Sequence, residues 1–383
     1  MTRQIINFLQ SKNKKYLLIA PTGVAAQNIG GKTIHSSLKI RYWDGRYETL
    51  IFSNLAECKE ELRKIDAIVI DEISMVDSEL FTFISNIFSR LHSNDYVFGN
   101  VPTLVVGDLA QLPPIRPSYV FNSPAWKRFF PLFLTTPQRQ MNDAQFYQIL
   151  QEVRTGNLSC RSKEMIQSKI DEDRNVDKLH DTTHVVGTRQ EAENINVLLC
   201  DHLPFDETCS DPIVSKSVDT LDFEMLTEDN LCVQFKNLTN LPESVYLQVG
   251  ARVMFLNNKL FDESICNGTI GVVTRMIDDE NVEVTFPTLT SISKIIVQKE
   301  TYHFEADGKN ASRRQFPLQN AFALTVHKTQ GLTLPHVTLS VDENMFAEGQ
   351  AYVAMSRATS LEKLRIVSFD CSRLKVPRKS IKG

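Results

Sequence analysis

Two adjacent carboxylates at the end of an apolar run are the first feature of this chain that could do chemistry. Ile68-Val69-Ile70 leads into Asp71-Glu72 and then Ile73-Ser74-Met75-Val76. A strand that delivers two acids in this way suits a nucleoside-triphosphate hydrolase, the first carboxylate holding Mg²⁺ through its waters and the second orienting and deprotonating the attacking water. The same residues also fit a strand ending in a solvated acidic turn. Val105-Val106-Gly107-Asp108-Leu109-Ala110-Gln111-Leu112-Pro113-Pro114 favours the first reading: another strand ends in a Gly-Asp turn, an amide follows three residues on, and two prolines stiffen the loop. Gln111 is placed to sense a γ-phosphate and report its loss, which a plain turn does not require.

Further along, His327-Lys328-Thr329-Gln330-Gly331 follows a strand, and Tyr352-Val353-Ala354-Met355-Ser356-Arg357-Ala358 reads as a helix. An arginine brought from a second α/β domain to a phosphate clamped on the first is an arginine finger. Arg357 fits that role, and Arg139, in Leu134-Thr135-Thr136-Pro137-Gln138-Arg139-Gln140, is a second candidate. Taken singly, either arginine also fits a surface salt bridge.

One expected part is missing from the sequence. A phosphate loop reads G-x-x-x-x-G-K-[ST] between a strand and a helix, because its backbone N–H groups and lysine carry the β- and γ-phosphates. Gly30-Gly31-Lys32-Thr33 imitates its end, but Ala26 stands where the first glycine belongs, and Gly23 lies eight residues before Gly31 where the pattern requires five. We read Gly30–Thr33 as a decoy.

The elements that must position these groups follow one plan. Tyr16–Ala20, Ala67–Ile70 and Thr103–Val106 are short apolar runs, each ending in a polar cluster, and Leu80, Phe81, Ile84, Ile87, Phe88 and Leu91 recur at helical spacing between them. Alternating strand and helix predicts a parallel α/β sheet with its ligand crevice beyond the carboxyl ends of the strands. From about 216 to 316 the texture changes to β-branched runs, Val245–Leu247, Ala251–Leu256, Thr269–Val273 and Val282–Phe286, broken by Asn267-Gly268 and Asp278-Asp279, which predicts a small β-barrel. An α/β pattern then returns with Ala321–Val326, Val337–Val341 and a helix around Gln350–Ser356.

Residues 16–37, 66–76, 103–115, 134–140, 319–333 and 351–364 resemble, in order, helicase motifs Ia, II, III, IV, V and VI of superfamily one, and are most similar to the PIF-type branch related to RecD-like 5′-to-3′ DNA helicases. The resemblance implies an α/β fold of two RecA-like parallel-sheet domains with a small SH3-like β-barrel insertion in the second. It implies 1–135 as the first domain, lacking its phosphate-loop strand, 136–215 with 317–383 as the second, and 216–316 as the insertion. It further implies ATP and Mg²⁺ as cofactors, Asp71 as metal ligand, Glu72 as catalytic base, Gln111 as γ-phosphate sensor, Arg139 and Arg357 as fingers, and Gly331 beside the nucleotide. Pro137-Gln138 stands where relatives carry an Asn before the arginine. Pro21, Thr22, Gly23, His35, Ser36, Thr188, Arg189, His327, Lys328 and Thr329 match positions on or near single-stranded DNA. Single-stranded DNA and duplex junctions are the expected partners of a monomeric motor, working in repair, recombination and telomere or genome maintenance in nucleus or mitochondrion.

In the family the phosphate loop comes just before a helix resembling Thr2–Leu9, so the chain reads as lacking that loop and its strand. Such a loss predicts an exposed sheet edge and a poorly stable first domain. Two rivals follow: a non-catalytic single-stranded-DNA-binding fragment or remnant, and a helicase module of a mobile-element replication protein. A dehydrogenase-like fold is disfavoured, because no G-x-G-x-x-G follows a strand.

Composition is compatible with all of this. At 383 residues the chain is long enough for two to four domains of roughly 100–200 residues. With 42% hydrophobic and 23% charged residues it can bury more than one core, and a net charge of -4 confines any nucleic-acid binding to local patches. The basic ends, Lys12, Lys14 and Lys15, then Arg373, Lys375, Arg378, Lys379 and Lys382, read as solvated termini. Cys58, Cys160, Cys200, Cys209, Cys232, Cys266 and Cys371 are scattered and never paired as C-x-x-C, as expected of reduced thiols without a disulfide frame or zinc site. No apolar run is long enough to span a membrane.

Overall fold

The computed structural model describes residues 2–376 apart from 54, 117, 171–179, 205–211, 223, 226–234, 236–237, 289–290 and 307–308. Cys209, Cys232, Arg378, Lys379 and Lys382 lie outside the described residues. The chain forms two compact units, one of residues 1–170, 330–335 and 340–383, the other of residues 171–329 and 336–339.

In the first unit, α1 (Thr2–Ser11) carries no buried residue. It is followed by β1 (Tyr16–Ala20), α2 (Gly23–Asn28), β2 (Lys32–Thr33), α3 (Ile34–Ser37) and an antiparallel hairpin of β3 (Ile40–Trp43) and β4 (Arg46–Thr49). Next come α4 (Ala56–Arg63), β5 (Ala67–Ile70), α5 (Ser78–Leu91), β6 (Thr103–Val105), α6 (Ala144–Thr155) and α7 (Cys160–Gln167). The sheet runs β2-β1-β5-β6, parallel throughout, with Leu18 opposite Val69 and Ile70 opposite Val105. Parallel sheets are covered on both faces, so their strands need unbroken apolar runs. Ile68, Val69 and Ile70 are buried accordingly, whereas Thr103–Val105 on the edge strand are only half-buried.

Helix α5 begins where Asp77 accepts a hydrogen bond from the Leu80 N–H (2.7 Å), a cap that satisfies one of the orphan amides of the first turn. Its buried face is Leu80, Phe81, Ile84, Ile87, Phe88 and Leu91, the spacing read from the sequence. These pack with Ile19, Ile68 and Ile70 in the main core of this unit. Phe130, Leu132, Phe133 and Leu134, by contrast, are largely exposed.

Gly30–Thr33 have a structural explanation unrelated to phosphate. Thr22 caps α2 through the Ala25 N–H (3.3 Å), and Gly30 (φ +68°) takes the left-handed turn just beyond its end. A methyl at Gly31 would lie 2.3 Å from the Leu18 carbonyl oxygen, so glycine is what lets this segment approach β1. Lys32 and Thr33 then pair with Ile19 and Ala20 as edge strand β2. The order here is helix, turn, strand, not strand, loop, helix. Gly31→Ala is expected to lower the unfolding free energy by about 1–3 kcal/mol through forced backbone displacement, read as an earlier urea midpoint.

The second unit contains β7 (Thr183–Val186), α8 (Arg189–Asp201), β8 (Ile213–Lys216), β9 (Val218–Leu221), β10 (Glu224–Met225), β11 (Ser244–Leu247), β12 (Arg252–Phe255), β13 (Ile270–Met276), β14 (Asn281–Pro287), β15 (Ile292–Gln298), β16 (Glu300–Ala306), β17 (Lys309–Gln315), β18 (Leu318–Asn320), β19 (Ala323–Thr325) and α9 (Val326–Thr329). Strand β20 (Val337–Val341) follows, pairing in parallel with β7, which also pairs in parallel with β19. The predicted β-rich stretch is built of antiparallel sheets: β15-β14-β13-β12-β18, β10-β9-β17-β16, and the β11-β8 pair. Val253, Phe255, Val273, Val282, Val284, Phe286 and Phe316 form its core. After β20 the chain returns to the first unit with α10 (Gln350–Met355) and β21 (Leu364–Phe369). Cys58, Cys160, Cys200, Cys266 and Cys371 are free thiols, and no described helix is long and apolar enough to cross a membrane.

Candidate nucleotide site and nucleic-acid loops

Strand β5 ends at Asp71, whose N–H donates to the Ile19 carbonyl (3.0 Å) and whose Oδ1 accepts from the Glu72 N–H (2.9 Å). Glu72 is held in the left-handed region (φ 50°, ψ 48°), a conformation that costs a non-glycine residue roughly 1–2 kcal/mol and clusters at functional sites. Its Oε2 is buried without a hydrogen-bond partner. Burial raises the pKa of Asp71. Burial likewise raises that of Glu72, helped by the charge of Asp71, while Arg357 and Arg139 pull the other way. A buried carboxylate with a raised pKa is what a general base near neutral pH requires.

The two arginines thus act on Glu72 within one unit. Arg139 donates to Thr333 Oγ1 (3.1 Å) and the Ser356 carbonyl (3.0 Å). Arg357 is buried at the end of α10 and donates to the carbonyls of Val353 (2.9 Å) and Leu332 (3.1 Å) and to Ser356 Oγ (2.7 Å). Burial, then the neighbouring Arg139 charge, brings its pKa down to about 10, so it stays cationic at neutral pH. Gln111 lies where its Oε1 is 3.5 Å from Gln330 Nε2, which is 3.4 Å from Ser74 Oγ. Gly331 accepts from the Asn28 side chain through its carbonyl (3.3 Å). Asp71, Glu72, Gln111, Arg139, Gly331 and Arg357 therefore all belong to the first unit.

Among the described residues no group of three or more His, Cys, Asp or Glu is arranged to hold a metal ion. Asp71 alone fits Mg²⁺ when the nucleotide's phosphates supply the remaining ligands, the usual arrangement for a cation that keeps several waters. For the phosphates themselves the fit is partial. Arg139 and Arg357 offer positive charge, but the sequence has no backbone cradle of the G-x-x-x-x-G-K-[ST] kind.

The residues matched to DNA positions fall in both units. In the first, Thr22 caps α2 between Pro21 and Gly23, and His35 and Ser36 lie on α3, the Ser36 N–H donating to Thr33 Oγ1 (3.3 Å). Burial lowers the His35 pKa despite the charge of Asp77, leaving the ring neutral. In the second, Thr188 caps α8 through the Glu191 N–H (3.2 Å), and Arg189 opens that helix close enough to His327 on α9 to reinforce the lowering of its pKa by burial. Lys328 bonds Gln319, and Thr329 is buried with its hydroxyl on the Val326 carbonyl (2.9 Å). Arg189 and His327 are thus brought together, whereas the Thr329 side chain faces inward. Sequence reasoning gave no role to Asp108, Arg154 or Tyr352. The Gly-Asp turn was visible, but its partners lie more than forty residues away in the chain.

Known proteins resemble the chain along most of its length. The family described as PIF1-like helicase matches residues 1–164, and the one described as viral superfamily 1 RNA helicase core domain matches residues 239–366. An ATP-dependent DNA helicase Pif1 of Campylobacter jejuni is 28% identical over 96% of this chain and 86% of its own length. The human ATP-dependent DNA helicase PIF1 is 30% identical over 92% of this chain, which spans only 54% of that protein. Among solved structures, the Pif1 helicase of Candida albicans superimposes with a TM-score of 0.80 at 28% identity, covering 100% of this chain and 90% of that one. The Bacteroides Pif1 in complex with ADP-AlF3 and single-stranded DNA gives 0.76 at 26% identity, covering 96% of this chain and 86% of that one. With its ordered motifs, its paired acids and arginines, and these relatives along nearly its whole length, the chain is similar to the PIF1-like helicases, the family that matches its residues 1–164.

Proposed function

We propose that this chain is an ATP-dependent DNA helicase of PIF type, coupling Mg²⁺-ATP hydrolysis to 5′-to-3′ movement along single-stranded DNA and opening of duplex junctions. The observation that carries the reading is the buried, unpartnered oxygen of Glu72 next to Asp71, within electrostatic reach of Arg139 and Arg357. Asp71 holds the metal ion, Glu72 takes the proton of the attacking water, Gln111 contacts the γ-phosphate, and the two arginines neutralise charge that grows in the transition state. Pro21–Gly23, His35-Ser36, Thr188-Arg189 and His327-Lys328 face the strand, with hydroxyls, amides and two cations suited to phosphates. A single copy forms the working unit, built from a first RecA-like domain over 1–135, a second over 136–215 and 317–383, and the β insertion over 216–316. Family roles in repair, recombination and telomere maintenance, in nucleus or mitochondrion, extend this proposal.

The test is ATP hydrolysis by this chain with and without single-stranded DNA, with Glu72→Gln as control. DNA-stimulated turnover that the substitution removes supports the reading. A second reading is a non-catalytic single-stranded-DNA binder. Absence of turnover alongside retained, salt-dependent DNA binding would establish it instead. In both cases the lowered pKa values of His35 and His327 make these rings neutral binders, so DNA affinity is expected to stay flat between about pH 6.5 and about pH 8. Titration by fluorescence anisotropy at fixed salt measures this.

A further inference from the structure

Asp108 follows Gly107 at the end of β6 and precedes Gln111 by three residues, yet the chemistry above gives it no task. Its carboxylate is nevertheless well supplied with donors. Arg154, near the end of α6, donates to Oδ1 from Nε (3.2 Å) and Nη2 (2.9 Å), and the Tyr352 hydroxyl, on α10, donates to Oδ2 (2.7 Å). Oδ1 also accepts the Ala110 N–H (3.1 Å), and the Gln111 N–H donates to the Asp108 carbonyl (3.0 Å). One carboxylate thus shapes the turn that presents Gln111 and ties it to α10, the helix that leads into Arg357. The backbone at the start of α10 is equally close: a methyl on Gly349 would lie 2.8 Å from the Ala110 carbonyl oxygen and 2.9 Å from that of Gln111. Tyr352 and Arg154 are 244 and 46 residues from Asp108 in sequence, so only the fold creates this junction.

We propose that Asp108 is a positioning residue, a latch that holds the Gln111 loop and the Arg357 helix in one frame through Tyr352 and Arg154, so that both groups meet a γ-phosphate together. This rests on the nucleotide-site reading given under Proposed function. The Tyr352 hydroxyl is the element that can be removed most cleanly, because Phe keeps the ring and its packing. A charge-assisted hydrogen bond is stronger than a neutral one, and two donors on one carboxylate act as a unit.

The experiment compares the intact chain with Tyr352→Phe, Arg154→Met and the double variant by amide hydrogen exchange over residues 108–112 and 350–357, and by DNA-stimulated ATP turnover. Each single variant is expected to speed exchange in the 108–112 loop about tenfold, with the double variant exceeding the larger single effect by less than about twofold, the signature of two bonds to one latch. Turnover is expected to show a lower kcat at unchanged KM, since a loosened frame weakens contacts made in the transition state and not the ground state. Unchanged exchange in Tyr352→Phe, or effects that multiply in the double variant, would overturn the latch. An equal loss of exchange protection across distant strands such as β13 and β14 would also overturn it, because that pattern marks general destabilisation. If the unsubstituted chain shows no turnover, the hydrolase reading fails, and the exchange arm still decides whether Asp108 holds the loop.

Discussion

Replacing Glu72 by Gln is expected to remove DNA-stimulated ATP hydrolysis, by roughly 10²–10⁴-fold as for loss of a positioned general base, while making the protein more stable at neutral pH. Both effects have one cause. Glu72 is buried beside Asp71 and leaves Oε2 without a hydrogen bond, so its charged form is disfavoured in the fold. The sign follows from linkage. A carboxyl whose folded pKa is raised supports the fold below its unfolded value, and that support is lost as pH rises through the raised pKa. At neutral pH the native glutamate therefore opposes folding, and a neutral amide of the same shape relieves this. Thermal unfolding should show the variant melting above the unsubstituted chain near neutrality, with the gap closing in acid as Glu72 becomes protonated. A variant that melts lower at neutral pH would contradict the account of Glu72 as a destabilised base.

The second large effect belongs to the other unit and concerns stability alone. Arg313 on β17 is 0% exposed and donates to both oxygens of Asp219 on β9, Nε to Oδ1 at 2.8 Å and Nη2 to Oδ2 at 2.6 Å, with Nη1 on the Leu241 carbonyl at 3.0 Å. The pair is sequestered beside the Phe235 ring. Removing one partner of such a pair leaves an uncompensated buried charge, so Asp219→Ala is expected to cost about 3–5 kcal/mol. Arg313→Met with Asp219→Leu should recover most of this, because apolar residues of similar volume avoid the desolvation of both ions. Urea unfolding reads the difference, and hydrogen exchange in β16 and β17 confirms that it arises in this unit. Equal losses in the single and double variants would show that the pair's shape matters more than its charge.

Arg313 and Asp219 also show where sequence reading stops. Both appear in the sequence as polar residues of ordinary strands, 94 positions apart, and nothing local announces that they will be paired and buried. The strands carrying them were only partly legible. β17, Lys309–Gln315, holds no β-branched or aromatic residue, and its pairing is set by its partner strands β9 and β16 and not by its own propensity. The β3–β4 hairpin was overlooked although Asp44-Gly45, both at positive φ, is a strong hairpin turn signal.

What the sequence by itself determined is local. Tyr16–Ala20 and Ala67–Ile70 occupy the strands read from it, and the six apolar positions of α5 are those it buries. These follow from hydrophobic periodicity, which a short window contains completely. The placement of Asp71 and Glu72 at a strand end was legible for the same reason. Only the tertiary structure decided that Gly31 serves a close approach to Leu18, that Arg139 and Arg357 act on Glu72, and that Asp108 joins Arg154 to Tyr352. Each depends on atoms brought within a few ångströms from distant parts of the chain, and Coulomb and hydrogen-bond energies fall off over that distance, so no pattern of neighbouring residues encodes them.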